Sequence, residues 1–381
     1  MRTRPLPSPG PLEPFDERDT VFARVRLVRD TDRFREYYGR RPGLLEVDER
    51  IRALPGMGAP GTRRYRPAEA ALLDASFEAS GLVAGALEGA PARLGPTSGR
   101  TGPRHSSPFP GQAELTRFVR EAALFLGADD VGIAPLERAC VYTHRGYDAW
   151  GKEVRLDHSH AVVVVKAMRL AYVRAAPEMA ATCETGRVYQ EVAALCFALA
   201  SALEGIGIPA RAHVESSYLV LCTPLAVLAG LGELGRSGVL VHRTLGPAVR
   251  LGVVTVGADL ARDRPGCWGV ADFCRACLKC ADTCPAGAIP KGDPVLVRGA
   301  LKWPMDPERC YRHWRTIGTD CGLCLRTCPF AKPDTALHRL VRRLVRDSTI
   351  LHGAMLRADD LLYGRRPAPR APPLLGIGPG D

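Results

Sequence analysis

Eight of the thirteen cysteines in this 381-residue chain fall into two short runs near its C-terminal end, and no other feature limits the fold as strongly. The first run is Cys274-x2-Cys277-x2-Cys280-x3-Cys284-Pro285. The second is Cys310 followed by Cys321-x2-Cys324-x3-Cys328-Pro329. Three thiolates on a tight loop can cap three corners of one iron–sulfur cubane. A fourth, set three residues further on and followed by proline, points away to a neighbouring cubane. The spacing therefore predicts two [4Fe–4S] clusters. One is held by Cys274, Cys277, Cys280 and Cys328, the other by Cys284, Cys310, Cys321 and Cys324. The second run departs from the simple ferredoxin spacing, because Cys310 lies eleven positions before Cys321. Zinc hooks are the competing reading, but zinc uses paired C-x2-C units without the third cysteine and the C-P step. So many cysteines read as metal and redox chemistry rather than structural disulfides, which suits a cytoplasmic chain.

Two adjacent clusters move single electrons and catalyse nothing alone. More than 250 residues precede them, so the electrons need a destination there. The chain is 46% hydrophobic and 24% charged, which excludes wholesale disorder. It carries a formal charge of +11, and all but six of its 52 basic residues are arginine. No block of five or six basic residues occurs, so a solvated basic surface is the plain reading and a nucleic-acid partner is not expected. Such a surface suits an acidic electron donor.

The chain divides into four parts. Residues 1–110 are Arg- and Pro-rich with short helical pieces, among them Ala68–Leu87, and end in a Gly/Pro/Ser loop. Residues 111–262 read as a mixed α/β unit. It has a helix at Glu114–Leu126, a buried strand at Ala161–Met168, a helix from about Arg187 to Leu203 opened by Thr185 and Gly186, and strands at Val239–His242 and Val249–Val256. Residues 263–335 hold the cysteine runs. Residues 336–381 are a basic helical segment and a loose tail. The longest apolar stretch, Tyr218–Gly232, is too short for a membrane span and contains Pro224. Of the other five cysteines, Cys196 sits in an apolar helix and is expected in the core.

Several segments outside the cysteine runs resemble the reductive dehalogenase family of cobalamin-dependent iron–sulfur enzymes. They are DTVFARVRL near the N-terminus, GADDVGIA, VYTHRG, PLAVLAGLGELGRSGVLV, GPAVRLGVV, CYRHW, DCGLCLRTCPF and ADDLLYGRRP. The epoxyqueuosine reductases are similar in the AGLG loop and the cysteine spacing but lack the DDLLYG ending. The resemblance implies an α/β (α+β) chain, with a nitroreductase-like cobalamin-binding domain followed by a ferredoxin-like domain with two clusters. It implies a base-off corrinoid, and the chain offers no Asp-x-His-x-x-Gly motif that would replace the lower base. It implies catalysis by Tyr189 and Arg250, a proton donor and a cationic partner. Tyr189 is expected near a helix start, where the macrodipole favours phenolate. Gly230, Leu231, Gly232, Gly235, Arg236 and Ser237 are implied as corrinoid contacts. Gly230, Gly232 and Gly235 also form a Gly-x-Gly-x-x-Gly string, which as a dinucleotide site lacks its strand and acidic residue.

One pocket position departs from the family. Where asparagine or lysine is expected, this chain offers Glu215, Ser216 and Ser217, and a carboxylate there does not suit halide release. The expected activity is cobalamin-dependent reductive cleavage of a carbon–halogen bond, with a separate low-potential donor such as ferredoxin or flavodoxin. Two alternatives stay open: a corrinoid-dependent reductase of an epoxide or unsaturated bond, and a non-catalytic cobalamin-binding or electron-transfer protein.

Overall fold

A computed structural model describes residues 12–89, 105–147 and 149–370. Most of the predicted loop between residues 90 and 111, and the last eleven residues, lie outside the described residues.

The centre is a four-stranded, wholly antiparallel sheet in the order β1, β2, β6, β3. These strands are Asp130–Pro135 (β1), His160–Ala167 (β2), Ala210–His213 (β3) and Val249–Val256 (β6); short Gly232–Leu234 (β4) and Leu240–His242 (β5) pair with each other. The β2 sequence does not alternate between apolar and polar residues, because both of its faces are covered. Val162 and Val164 point into one core with Val188, Val192, Leu195 and Leu199 of a long helix. Ala161, Val163 and Val165 point into a second core with Leu225 and Ala226 of the Cys222–Leu228 helix. Strand β6 crosses in register, Val163 opposite Val253. Cys196 is fully buried, and a Cβ on Gly252 would come within 2.5 Å of its sulfur, so the helix lies hard against the strand.

The long helix runs from Met179 to Gly205, so it begins eight residues before the start the sequence suggests. The Thr185–Gly186 pair does not open it. Gly186 sits where the Pro67–Leu87 helix crosses, with Leu73 and Ser76 3.0–3.2 Å from where a Cβ would be. A small residue is needed for that crossing, and tertiary packing outweighs glycine's poor helix propensity. The Pro67–Leu87 helix is also long and apolar enough by composition to cross a membrane. Its Ala70, Leu73, Ser76, Ser80 and Ala84 face is buried in this structure.

The N-terminal segment wraps onto the cysteine region. Arg24 and Asp48 form a buried ion pair at 2.9 Å, Tyr38 donates to Asp48, and Arg24 also reaches Glu308. The Gly58 N–H donates to the Gly318 carbonyl at 2.9 Å. Gly246, with φ +69°, lets the chain after β5 lie against the Phe330 carbonyl, where any Cβ would overlap. The basic C-terminal segment folds as two helices, Ala336–Asp347 and His352–Tyr363. They pack on Phe273, Phe330, Cys274 and Cys328.

Candidate active site

The two cysteine runs interleave. The Cys328 thiol has Cys274, Cys277 and Cys280 as its electrostatic neighbours. Cys324 has Cys321, Cys280, Cys310 and Cys284, and Cys310 has Cys321 and Cys284. Each C-x3-C-P cysteine thus sits with the other run. Burial, reinforced by these neighbouring thiols, pushes Cys280 and Cys310 up to about 12. Cys321 is pushed up to about 11 by burial first. Crowding so many buried thiols makes their ionisation unfavourable unless cationic metal accompanies it. Backbone N–H groups already point at the sulfurs: Ala288 toward Cys284 at 3.4 Å, and Arg236 and Phe330 toward Cys274 and Cys328. Such donors are the usual surroundings of iron–sulfur clusters. Among the described residues, no three His, Cys, Asp or Glu side chains converge as ligands of a single ion.

Beside the second group lies an enclosed cleft. Tyr142, Tyr147, Tyr189, Glu215, Tyr218 and Cys222 all keep some accessible surface, yet burial is the largest influence on the ionisation of each. Half-buried and within electrostatic reach of one another, these side chains frame the candidate cleft. Tyr189 comes from the long helix, Glu215 and Tyr218 from the turn after β3, and Arg250 from β6. The Arg250 guanidinium lies 5.3 Å from the centre of the Tyr189 ring. Burial pushes the Tyr189 phenol up to about 12, against a lowering by Arg250.

Tyr189 is not near a helix start. Ten residues separate it from Met179, about 15 Å along the helix axis, beyond the reach of the macrodipole. The expected dipole assistance is therefore absent, and Arg250 is the cation that acts on the phenol.

Arg250 is held from behind. Its Nη2 donates to Thr185 Oγ1 at 2.8 Å and lies 3.6 Å from Asp320 Oδ2. Thr185 and Thr182 donate to the two oxygens of Asp320 at 2.7 and 3.0 Å. Asp320 directly precedes Cys321, so this network ties the cleft to the cysteine loop. Arg250 Nε is buried with no hydrogen-bond partner among the described residues. Sequence reasoning missed Thr182, Thr185 and Asp320 as site residues. The signal was slight: an aspartate beside a cysteine motif, and two threonines three apart on one helix face.

Glu215 does face the cleft. Burial raises its pKa, opposed by Arg26 and Arg250. Arg26 in turn stacks on the Tyr147 ring at 4.8 Å. The other two pocket candidates differ. Ser217 is fully buried and donates to Glu88 at 2.6 Å, in a cluster with Arg211 and Arg145, so its hydroxyl is committed elsewhere. Ser216 has φ +67° and serves the turn.

The glycine loop needs a different explanation from the expected one. Cβ atoms on Gly230 and Gly232 would overlap the Arg264 and Val241 carbonyls, and on Gly235 would meet Val241 Cγ2 at 2.9 Å. These glycines admit the chain's own backbone. Leu231 is fully buried, which leaves it no face for a cofactor. Arg236 is also buried: it donates to the Cys274, Pro290 and Gly292 carbonyls at 2.8–3.0 Å and stacks 4.8 Å from Trp303. It is a tie between the loop and the cysteine region, not a free ligand for a cofactor. Ser237 alone of that set keeps a partly accessible side chain without a hydrogen bond among the described residues.

Trp303 is core, its ring N–H donating to Gly292 at 3.0 Å. Tyr311 and Trp314 form an aromatic group with Phe22, and the Trp314 N–H also reaches Cys310.

Comparison with known proteins follows this geometry. Residues 273–332 match the 4Fe-4S dicluster domain family. A tetrachloroethene reductive dehalogenase from Desulfitobacterium hafniense is 28% identical over 301 residues, covering 66% of this chain and 54% of that protein. A solved catabolic reductive dehalogenase superposes with a TM-score of 0.66 at 26% identity, covering 76% of this chain and 42% of the other. An epoxyqueuosine reductase from Lactococcus garvieae is 29% identical over a shorter stretch, 32% of this chain. The chain spans about half the length of the curated dehalogenases it matches.

Proposed function

Because the chain is a homologue of the reductive dehalogenases, we propose that it is a corrinoid-dependent reductase that cleaves a carbon–halogen bond with electrons relayed through two [4Fe–4S] clusters. The observation that carries this reading is the cleft itself. A phenol and a guanidinium whose Nε has no partner among the described residues lie side by side, and hydrogen bonds join them to the loop of Cys321.

The cysteine groups provide the donor set for the clusters, with Cys274, Cys277, Cys280 and Cys328 around one and Cys284, Cys310, Cys321 and Cys324 around the other. The cleft fits a corrinoid in chemistry: it is aromatic-walled, enclosed, and has an orphan buried donor in Arg250 Nε. Ser237 is the polar group left free in the loop to meet its tail. When bound, a corrinoid supplies low-valent cobalt able to reduce a carbon–halogen bond. The sheet unit of residues 111–262 is then the nitroreductase-like cobalamin domain, and residues 263–335 the ferredoxin-like one.

The protein's own residues handle charge and protons. The net change replaces carbon–halogen by carbon–hydrogen, consuming two electrons and one proton and releasing halide. Tyr189 gives its proton to the carbon that loses halogen. Its phenol is protonated at neutral pH, so the acid form is always at hand. Arg250 stabilises the phenolate left behind and the departing halide. Thr185 and Asp320 fix the guanidinium so that it need not reorganise. The tyrosine walls keep bulk water from the reacting carbon.

Glu215 favours a second reading, reduction of an epoxide or unsaturated bond, because a carboxyl in the cleft disfavours nearby anions. The test is halide release. Anaerobically reconstituted protein with reduced methyl viologen should free halide from a panel of halogenated phenols, benzoates and alkenes. Intact cofactors without halide release from any of them would favour the second reading.

A further inference from the structure

We propose that the paired helices Ala336–Asp347 and His352–Tyr363 form the docking face for an acidic one-electron carrier protein, which reduces the Cys274/Cys277/Cys280/Cys328 cluster. The inference rests on the proposed electron relay and adds where electrons enter it.

Three independent observations converge on this face. The first is proximity. Between the helices runs an apolar groove whose floor is Phe273, Pro329 and Phe330. Pro329 directly follows Cys328, and Cys274 and Cys328 pack against the same apolar cluster as Val341, Val345 and Met355. A partner seated in the groove is separated from that cysteine group by a single layer of side chains.

The second is exposed apolar surface. Leu337, Leu340, Leu361 and Leu362 are each more than half exposed, and Ile350 between the helices is 91% exposed. Such a concentration on two short helices marks an interaction surface rather than the scatter of single apolar residues found anywhere.

The third is charge. Residues 336–366 carry seven arginines against three aspartates. Arg339, Arg343 and Arg346 share the outer face of the first helix with Leu340. Arg343 and Arg357 are exposed and have no carboxylate partner among the described residues. Of the acidic groups, Asp347 and Asp334 are half-exposed and pair with Arg346 and with Arg339 and Arg342, while Asp359 and Asp360 are turned inward. Asp359 is bound at 2.5 Å by buried Lys279 and at 3.2 Å by Lys332, and Asp360 by Lys279 at 2.9 Å. A rim of arginine around an apolar centre selects an acidic partner and speeds its encounter. The exchange is simple: the carrier loses one electron, the cluster gains it, and no proton or bond is involved.

The probe is reduced flavodoxin, an acidic carrier, mixed with the cluster-loaded protein in stopped flow. Flavin oxidation and cluster bleaching are followed together. The variant is Arg339→Glu/Arg343→Glu/Arg357→Glu, and Arg33→Glu/Arg117→Glu carries reversals on exposed arginines elsewhere. At low salt the face variant should be reduced about tenfold or more slowly than wild type, since steering of this kind changes on-rates by about 10–10³. The control should stay within about twofold, and added salt should erase the difference. All three should be bleached equally by methyl viologen, which shows that the clusters are intact. Unchanged flavodoxin rates in the face variant overturn the proposal. So does equal slowing in the control, or a wild type that viologen reduces and flavodoxin does not. So does a second copy of the chain on this face, seen as a dimer that the face variant dissociates without changing flavodoxin rates. Cluster reduction needs neither corrinoid nor substrate, so absent halide release would refute the proposed reaction and leave this docking result standing.

Discussion

Replacing Arg250 with glutamine removes the one guanidinium that acts on the Tyr189 phenol. The charge lies 5.3 Å from the ring centre. At an effective dielectric constant of about 20, a unit charge at that distance is worth about 3 kcal/mol to a developing negative charge. Asp320, 3.6 Å from Nη2, offsets part of this, leaving about 1.5–3 kcal/mol. Arg250→Gln should therefore slow halide release about 10–100-fold, at about 1.4 kcal/mol per factor of ten. Because Arg250 acts on charge formed during the reaction, the loss should fall on kcat more than on KM. Arg250→Lys should recover part of it, restoring charge but not the fork that reaches Thr185. The assay is ion chromatography of halide under excess reduced methyl viologen, with iron and cobalt measured on the same samples. Turnover within about twofold of wild type, at equal metal content, would refute the assignment of Arg250 and with it the electrostatic account of the cleft.

Five further outcomes follow from the same geometry. Tyr189→Phe should lower halide release about 10²–10⁴-fold. With its phenol pushed up to about 12, chiefly by burial, Tyr189 should impose no alkaline limb on the wild-type rate below about pH 11. Glu17 is buried, accepts the Gly146 N–H at 2.7 Å, and has its pKa pushed up to about 7 mainly by burial. It binds its proton more tightly folded than unfolded, so its stabilising effect is present in acid and lost as pH rises from about 4.5 through about 7. Glu17→Gln should raise Tm over wild type at pH 8, by up to about 3 kcal/mol of stability, and leave it unchanged at pH 4.5. Gly246→Ala, forced against the Phe330 carbonyl at positive φ, should cost about 1–3 kcal/mol and show as a lower Tm. Cys328→Ser should abolish the cluster of the first run, lowering iron by about four per chain, while the signal of the cluster around Cys310 persists.

What was legible in the sequence divides by range. The cysteine spacing is local, and both runs fold as short helical turns that point their thiols as the spacing implies. The strands at β2 and β6 were equally plain, because unbroken valine runs bounded by turns leave few alternatives. The long helix was misread at its start because Gly186 looks like a boundary until Leu73 of another helix is seen crossing it. The glycine string is legible only in part for a related reason. A sequence shows that a close approach occurs there but not what approaches, and here it is Arg264 and Val241. The bracing of Arg250 was invisible, since Thr185 and Asp320 lie 135 residues apart and meet only when the cysteine region folds onto the sheet. Glu215 was found as a departure from a resembling family, and the structure puts it in the cleft with Tyr189.

The central claim is that paired clusters feed a corrinoid held in the cleft of Tyr189 and Arg250. Anaerobic reconstitution with iron, sulfide and cobalamin, followed by gel filtration and metal analysis, tests it most directly. The account predicts about eight iron and one cobalt retained per chain, with a corrin absorption that changes when the clusters are reduced. Eight iron with no cobalt retained would contradict it, and would leave the chain an iron–sulfur relay without the catalytic cofactor proposed here.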